Sequence, residues 1–247
     1  MSGATGSLDI TARRLGQRTV LGRVRYEGIS RCSRAFAEGD AVRVVTSQLG
    51  PGVVQGDLIV SSGRLEAGAH LIVTQQAATR LMGGKRSARA QTHWALDAGA
   101  LLELLGEPLI GYTDARYDAV TTVDLAAGAR VLISEIACTP TDSAVRIRTS
   151  VQQHSRELFY DAFDAAAAGP QVIGSFSVIG IDAPCIARVL AALDAVSADD
   201  DDTRQGAGAL PAGVFARILG NDVWTVRAAL IALRGAARDT LNLPLPQ

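Results

Sequence analysis

The sequence predicts a mainly β protein whose body is built of stacked β-strands, in the manner of a β-helix or solenoid, with a small helical addition at the C-terminus. A short phrase recurs three times at nearly constant spacing, several segments alternate apolar with polar residues, and the pattern changes to a helical period after residue 180. We assign residues 1–180 to the stacked-strand body and residues 181–247 to the helical part. We expect the two to form one integrated domain.

The repeated phrase places an Ala-Gly pair between two apolar runs. It occupies Leu65–Ile72, Leu96–Glu103 and Leu125–Leu132, and its glycines Gly68, Gly99 and Gly128 are spaced by 31 and 29 residues. Glycine adopts a positive φ angle without steric cost, so each phrase is typical of a strand, a tight turn and a second strand. Repetition at this period indicates units that stack and share one core.

Strict alternation supports strands outside the repeats. Val145, Ile147 and Thr149 alternate with Arg146 and Arg148. A period of two residues is typical of a strand with one buried and one exposed face.

The C-terminal part has a helical pattern. Asp182 and Pro184 form a cap and a first turn, and Ile186, Val189, Leu190, Leu193 and Val196 follow on one face. A second helix is predicted after a cap at Asn221, with Val223, Val226, Leu230 and Leu233 on its apolar face. The segment between them, 197–213, is rich in Asp and Gly and is predicted to be a mobile loop; the four adjacent carboxylates of Asp199–Asp202 repel one another and lack calcium-loop spacing.

Composition excludes several classes of protein. The formal net charge is −1 and charged residues make up 20% of the chain, which does not favour nucleic-acid binding. The N-terminus lacks an apolar signal region, and no apolar run is long enough to cross a bilayer, so we expect a cytoplasmic protein without membrane association.

A search for catalytic residues finds no constellation. The three histidines, His70, His93 and His154, lack metal-ligand spacing, and serine-hydrolase and P-loop motifs are missing from the sequence. We therefore predict that the chain is not an enzyme. One alternative is a β-solenoid carbohydrate-active enzyme that pairs two carboxylates among Glu103, Asp114 and Glu135. Another is a protein-binding module without any connection to a metal.

Three stretches contain polar residues or glycines that core packing alone does not require. They are Gly50–Leu58, which contains Gly52, Gly56 and Asp57; Thr74–Arg80, which contains Gln75, Gln76 and Thr79; and Ile133–Cys138, an apolar strand that contains Glu135. A carboxylate among apolar neighbours needs a partner or water. Asp57 and Glu135 are therefore expected either to line a polar passage or to tie down their own turn or strand through hydrogen bonds.

The order of these motifs resembles the UreD/UreH family of urease accessory proteins. The matching segments are Gly52–Asp57, Thr74–Thr79, Ala98–Glu103, Glu107–Ile110, Asp114–Tyr117, the strand with Glu135, and the closing Arg217–Leu230. The resemblance implies a β-helical scaffold or chaperone that is needed for nickel insertion into the urease apoprotein.

The resemblance also implies partners and sites. The partners are the urease apoprotein and accessory proteins of the F and G types, the latter a GTPase. Nickel is expected to be in transit, with no resident cofactor and weak binding to the isolated protein. Residues implied in partner contact or metal passage are Asp57, Gln75, Gln76, Thr79, Glu103 and Glu135, with Gly52 and Gly56 shaping a loop.

Overall fold

The computed structural model describes residues 3–164, 172–197 and 203–243, which form 18 strands and two helices. The strands are β1 (Thr5–Leu15), β2 (Arg18–Gly28), β3 (Ser30–Cys32), β4 (Phe36–Glu38), β5 (Ala41–Gln48), β6 (Leu58–Leu65), β7 (His70–Gln75), β8 (Thr79–Leu81), β9 (Ala88–Leu96), β10 (Leu101–Leu105), β11 (Leu109–Gly111), β12 (Arg116–Leu125), β13 (Arg130–Cys138), β14 (Ala144–Gln153), β15 (Arg156–Asp164), β16 (Val172–Ile179), β17 (Thr203–Leu210) and β18 (Gly213–Gly220). The helices are α1 (Ala183–Val196) and α2 (Val223–Thr240).

The strands form two sheets that face each other. The seven-stranded sheet has the order β15-β14-β12-β9-β6-β1-β2. The eleven-stranded sheet follows the path β17-β18-β16-β13-β10-β7-β5-β3, with β4, β8 and β11 at its margins. In the centre, β6, β9 and β12 pair in parallel in one sheet, and β7, β10 and β13 pair in parallel in the other. Each repeated phrase therefore crosses from one sheet to the other, which confirms the predicted solenoid-like stacking.

The turns of the three repeats lie directly above one another. Gly68, Gly99 and Gly128 have φ angles of 67°, 68° and 68°, as a left-handed turn position requires. The Gly68 amide donates to the Ala98 carbonyl at 3.0 Å, and the Gly99 amide donates to the Ala127 carbonyl at 3.0 Å. Successive repeats are thus joined through their turns as well as through their strands.

Three apolar clusters result from this arrangement among the described residues. One lies between the sheets and includes Ile10, Leu71, Trp94 and Val131. A second lies on the outer face of the eleven-stranded sheet, where α1 and α2 cover it with side chains such as Val189 and Leu230. A third includes Tyr117 and Val145 of the seven-stranded sheet. The predicted apolar faces are buried at Val189 and Leu193 of α1 and at Val226, Leu230 and Leu233 of α2, whereas Val196 is exposed.

The predicted mobile loop over 197–213 is wrong for residues 203–210, which form β17. The sequence does not show this because Gly and Ala give the segment no apolar face, while its backbone pairs along its whole length with β18. The hairpin closes where Leu210 pairs with Gly213 across Pro211 and Ala212. Asp199–Asp202 lies outside the described residues.

The helix caps are partly as predicted. Asp182 caps α1, and its side chain accepts a hydrogen bond from the Cys185 amide at 3.0 Å. The cap of α2 is Asp222 rather than Asn221, because the Asp222 carboxylate accepts from the Thr225 amide at 2.8 Å.

Candidate functional site

A cavity of about 590 Å3 that is open to solvent on one side lies between the two sheets. The predicted residues Gly52, Gln75, Gln76, Thr79 and Glu135 all line it. The glutamine phrase and the glycine loop therefore meet Glu135, far from them in sequence, around one space.

The seven-stranded sheet contributes a row of hydroxyl side chains to this cavity. In the register of the parallel strands, Ser61 pairs with Thr92 and Thr92 with Thr121. The row continues beyond the cavity lining, because Thr121 pairs with Thr149 and Thr149 with Asp161. We call Ser61, Thr92, Thr121, Thr149 and Asp161 the hydroxyl row.

The eleven-stranded sheet contributes a second polar row on the facing surface. Thr46 pairs with Gln75, Glu135 pairs with Ser175, and Ser175 pairs with Arg217. We call these residues, Thr46, Gln75, Glu135, Ser175 and Arg217, the carboxylate row. Two polar rows thus run across a sandwich whose remaining inward positions are mostly apolar.

Glu135 joins the two rows. The Thr149 hydroxyl lies 3.3 Å and 3.2 Å from the two carboxylate oxygens of Glu135. Burial and the negative charge of Asp161 raise the pKa of Glu135 to about 7, while hydrogen bonds from Thr149 and Ser175 and the charge of Arg217 oppose the rise. The side chain is only half-buried by area because it borders the cavity, so water in the cavity reduces the cost of its ionised form.

The glycine loop and the glutamine phrase lie at the other end of the cavity. Gly52 has a φ angle of 146°, and a Cβ atom at this position would stand 2.6 Å from the Arg80 carbonyl oxygen. Gln75 accepts a hydrogen bond from the Glu107 amide at 3.0 Å. Close backbone approach and a fixed amide therefore shape this end, which explains the small and amide-bearing residues there.

Asp57 lies elsewhere. It is 3% exposed and does not line the cavity; its two oxygens accept hydrogen bonds from the Ala4 amide at 2.7 Å and the Val54 amide at 2.9 Å. Gly56, with a φ angle of 81°, forms the same turn. Of the two roles considered for Asp57, the geometry favours the tying of its own turn.

Glu103 is also separate from the cavity, on the opposite face of the eleven-stranded sheet. It is fully buried and accepts from His70 at 2.8 Å and from Arg234 of α2 at 3.2 Å, and it also contacts Arg238 of α2. Burial raises the pKa of this carboxyl, but His70, Arg238 and Arg234 together lower it below its ordinary value. This cluster attaches α2 to the strands.

The three carboxylates considered for a glycosidase do not come together. Glu103 and Glu135 lie on opposite faces of one sheet, as their different apolar neighbours show, and Asp114 is in an exposed turn with a φ angle of 58°. A glycosidase needs two carboxyl groups about 5–10 Å apart in one cleft. The geometry therefore does not favour this alternative.

Sequence reasoning missed most of the hydroxyl row and Arg217, although the repeats carry a signal for part of the row. Ser61, Thr92 and Thr121 each stand seven positions before a turn glycine. Gln75 and Glu135 stand seven positions after Gly68 and Gly128. Equal distances from stacked turns place side chains in the same row, so the repeats predict the alignment of these five residues, whereas Thr149, Asp161, Ser175 and Arg217 lie beyond the repeats.

No helix among residues 3–164, 172–197 and 203–243 has both the length and the apolar character to cross a membrane. In the same part of the chain, no three His, Cys, Asp or Glu side chains are grouped so that they could hold a metal ion.

Comparison with known proteins identifies relatives along nearly the whole chain. The family described as UreD urease accessory protein matches residues 4–247. A urease accessory protein UreD of Bacillus sp. strain TB-90 is 28% identical over 261 residues, covering 96% of this chain and 95% of that protein. The UreD protein of Haloarcula marismortui is 36% identical over 221 residues, covering 79% of this chain and 72% of that protein. That of Ralstonia nicotianae is 28% identical and covers 97% of this chain and 92% of its own length. The chain therefore belongs to the UreD urease accessory protein family.

Proposed function

We propose that this chain assists urease maturation by conducting nickel ions through the cavity between its sheets toward the urease apoprotein. The accessory role follows from membership of the family. The passage is supported by one observation above all, the two polar rows that face each other inside an otherwise apolar sandwich.

The chemistry of the lining suits transit of a cation. Hydroxyl and amide oxygens from Ser61, Thr92, Thr121 and Gln75 can replace part of the water around a divalent ion. Nickel prefers nitrogen and sulfur ligands to such neutral oxygens, so these residues would hold it only weakly. Conduction requires binding that favours entry and still permits release. Among the described residues, the cavity lining contains Glu135 as its acidic side chain and also Arg31 and Arg80, and the ionised form of Glu135 attracts the ion.

The partners of this chain are proposed from its membership of the family. An accessory protein of the F type would dock this chain to a GTPase of the G type that delivers nickel, and the urease apoprotein would receive it. The chain acts as a scaffold between them and holds no resident cofactor. Cytoplasmic location is part of the same proposal.

The passage can be tested by filling it. Thr121→Trp places an indole on the cavity side of β12, and Thr122→Trp places the same group on the outer face of that strand as a matched control. Each variant is co-expressed with urease and the other accessory proteins, and assembly, urease nickel content and urease activity are measured. We expect Thr121→Trp to assemble normally yet leave urease largely without nickel.

Full nickel loading by an assembled Thr121→Trp variant would contradict the passage and would favour a binding module unconnected to the metal. Glu135→Gln provides an independent test of the passage, because it keeps the shape of the side chain and removes its charge. It should also lower nickel loading without loss of assembly. A defect in assembly alone, with loading restored at higher protein concentration, would likewise assign these residues to partner binding.

A further inference from the structure

The two polar rows extend past the cavity and end at a pair of opposite charges. Beyond Thr121 and Glu135, which line the cavity, come Thr149 and Asp161 on one sheet and Ser175 and Arg217 on the other. Nη2 of Arg217 lies 2.6 Å from Oδ1 of Asp161. The rows are therefore joined at this end by an ion pair that bridges the two sheets.

This ion pair reaches solvent. The side chains of Arg217 and Asp161 are 26% and 14% exposed, whereas Thr149 and Ser175 behind them are buried. The pair thus lies where the line of polar side chains meets the surface between β15 and β18. It occupies the second end of the proposed passage, opposite the glycine loop.

Arg217 is held there although not all of its hydrogen-bond donors have a partner among the described residues. Its guanidinium lies over the rings of Phe163 and Phe215, 4.7 Å and 5.0 Å from their centroids. It makes one short contact with Asp161, and Nη1 is buried without a hydrogen-bond partner among the residues that the structure describes. Aromatic faces attract a guanidinium, so they offer Arg217 support that does not depend on Asp161.

The charge of Arg217 also acts on Glu135. Arg217 lowers the pKa of Glu135 and Asp161 raises it, so the three groups share one electrostatic environment. A guanidinium that pairs with Asp161 and acts electrostatically on Glu135 competes with a metal cation for the same two carboxylates. A divalent cation that approaches Glu135 is repelled by Arg217 as long as the arginine stays there.

We propose that Arg217 is the gate of the second end, closing it through Asp161 until an incoming divalent cation takes its place beside Asp161 and Glu135. The displaced guanidinium remains on the aromatic rings. This inference rests on the proposed function, since it assumes that a cation travels along the two rows. Arg217 is a positioning residue here, and it coordinates nothing itself.

The test measures Ni2+ binding to the purified full-length chain by calorimetry, above the pKa of Glu135. Arg217→Gln removes the competing charge and should tighten Ni2+ binding about ten-fold or more, because a like charge several ångströms away no longer opposes the ion. Arg217→Lys keeps the charge and should bind as the unchanged protein does. Arg148→Gln is the matched control, since Arg148 pairs with Asp118 at 2.7 Å on the outer face of the seven-stranded sheet.

Adding Glu135→Gln to Arg217→Gln should abolish the gain. Unchanged Ni2+ affinity in a folded Arg217→Gln variant would overturn the gate, and so would a gain that survives Glu135→Gln. If Arg217→Gln fails to fold, Asp161→Asn is compared with Asp161→Asn/Arg217→Gln, which leaves no unpaired charge at the pair. The double variant should bind Ni2+ more tightly than Asp161→Asn, and equal binding would refute the proposal. Urease loading by Thr121→Trp tests the passage separately, so failure of the gate and failure of the passage give different results.

Discussion

Neutralising Glu103 should weaken the attachment of α2 to the strands. Glu103 is fully buried between His70 on β7 and two arginines of α2, Arg234 and Arg238, and Arg238 is only 1% exposed. Glu103→Gln keeps the size of the side chain but leaves both guanidinium groups without this counter-charge in a buried site. Removing one partner of a buried ion pair costs about 3–5 kcal/mol, because the remaining charge stays desolvated.

Glu107→Gln is a matched control for this change. Glu107 also pairs with an arginine of α2, Arg227 at 3.0 Å, but the two side chains are 28% and 38% exposed. Exposed pairs contribute about 0–1 kcal/mol, so this variant should be nearly as stable as the unchanged protein. The contrast between two Glu→Gln changes under one helix isolates the effect of burial.

The assay is urea unfolding followed by circular dichroism and tryptophan fluorescence. We expect Glu103→Gln to lower the free energy of unfolding by about 4 kcal/mol, equivalent to about 8–16 °C in Tm for a chain of this size. The lowered pKa of Glu103 means that its contribution is present above its ordinary value of 4.5 and is lost as the pH falls through its folded pKa. A loss below about 1 kcal/mol, similar to that of Glu107→Gln, would refute the assignment of Glu103 as the attachment of α2.

Two further predictions concern the interior. The pKa of Glu135, raised from 4.5 to about 7, means that the folded state holds this proton more tightly than the unfolded chain. Its stabilising contribution is therefore full below pH 4.5 and is lost as the pH rises toward 7, by at most about 3 kcal/mol because cavity water screens the charge. Denaturant unfolding across this range should show the decline in the unchanged protein and a flatter profile in Glu135→Gln; parallel profiles would contradict the raised pKa. Gly63→Ala should cost about 1–3 kcal/mol by overpacking, since a Cβ atom would stand 2.1 Å from the buried Trp94 ring. Gly235→Ala in α2, where a Cβ meets no atom within 4 Å, should instead stabilise by about 1 kcal/mol; equal Tm values for the two variants would count against the packing argument.

Most of the fold could be predicted from local sequence patterns. The Ala-Gly phrases predicted three stacked turns, and Gly68, Gly99 and Gly128 have the positive φ angles that such turns require. The two amphipathic helices followed from apolar spacing together with capping residues. The hairpin of β17 and β18 was not predicted over 203–210, because a Gly- and Ala-rich strand has no apolar face of its own and depends on the hydrogen bonds of its neighbour.

The candidate site could be predicted only in part from the sequence. The glycine loop, the glutamine phrase and Glu135 stood out as polar or conformationally unusual residues, and the structure brings Gly52, Gln75 and Glu135 to one cavity. Asp57 and Glu103 carried the same kind of signal but serve a turn and a helix contact. A lone carboxylate in an apolar run shows that a partner is needed without showing which partner it is.

The sequence by itself determined the repeating turns, the alternation that sends side chains to one face or the other, and the apolar faces of both helices. These features depend on backbone preference and on spacing within a few residues. The tertiary structure decided which polar positions face each other. Thr149 meets Glu135 and Asp161 meets Arg217 only because two sheets, built from strands far apart in sequence, stack in one register. That register follows from the packing of the whole core, which local sequence patterns do not encode.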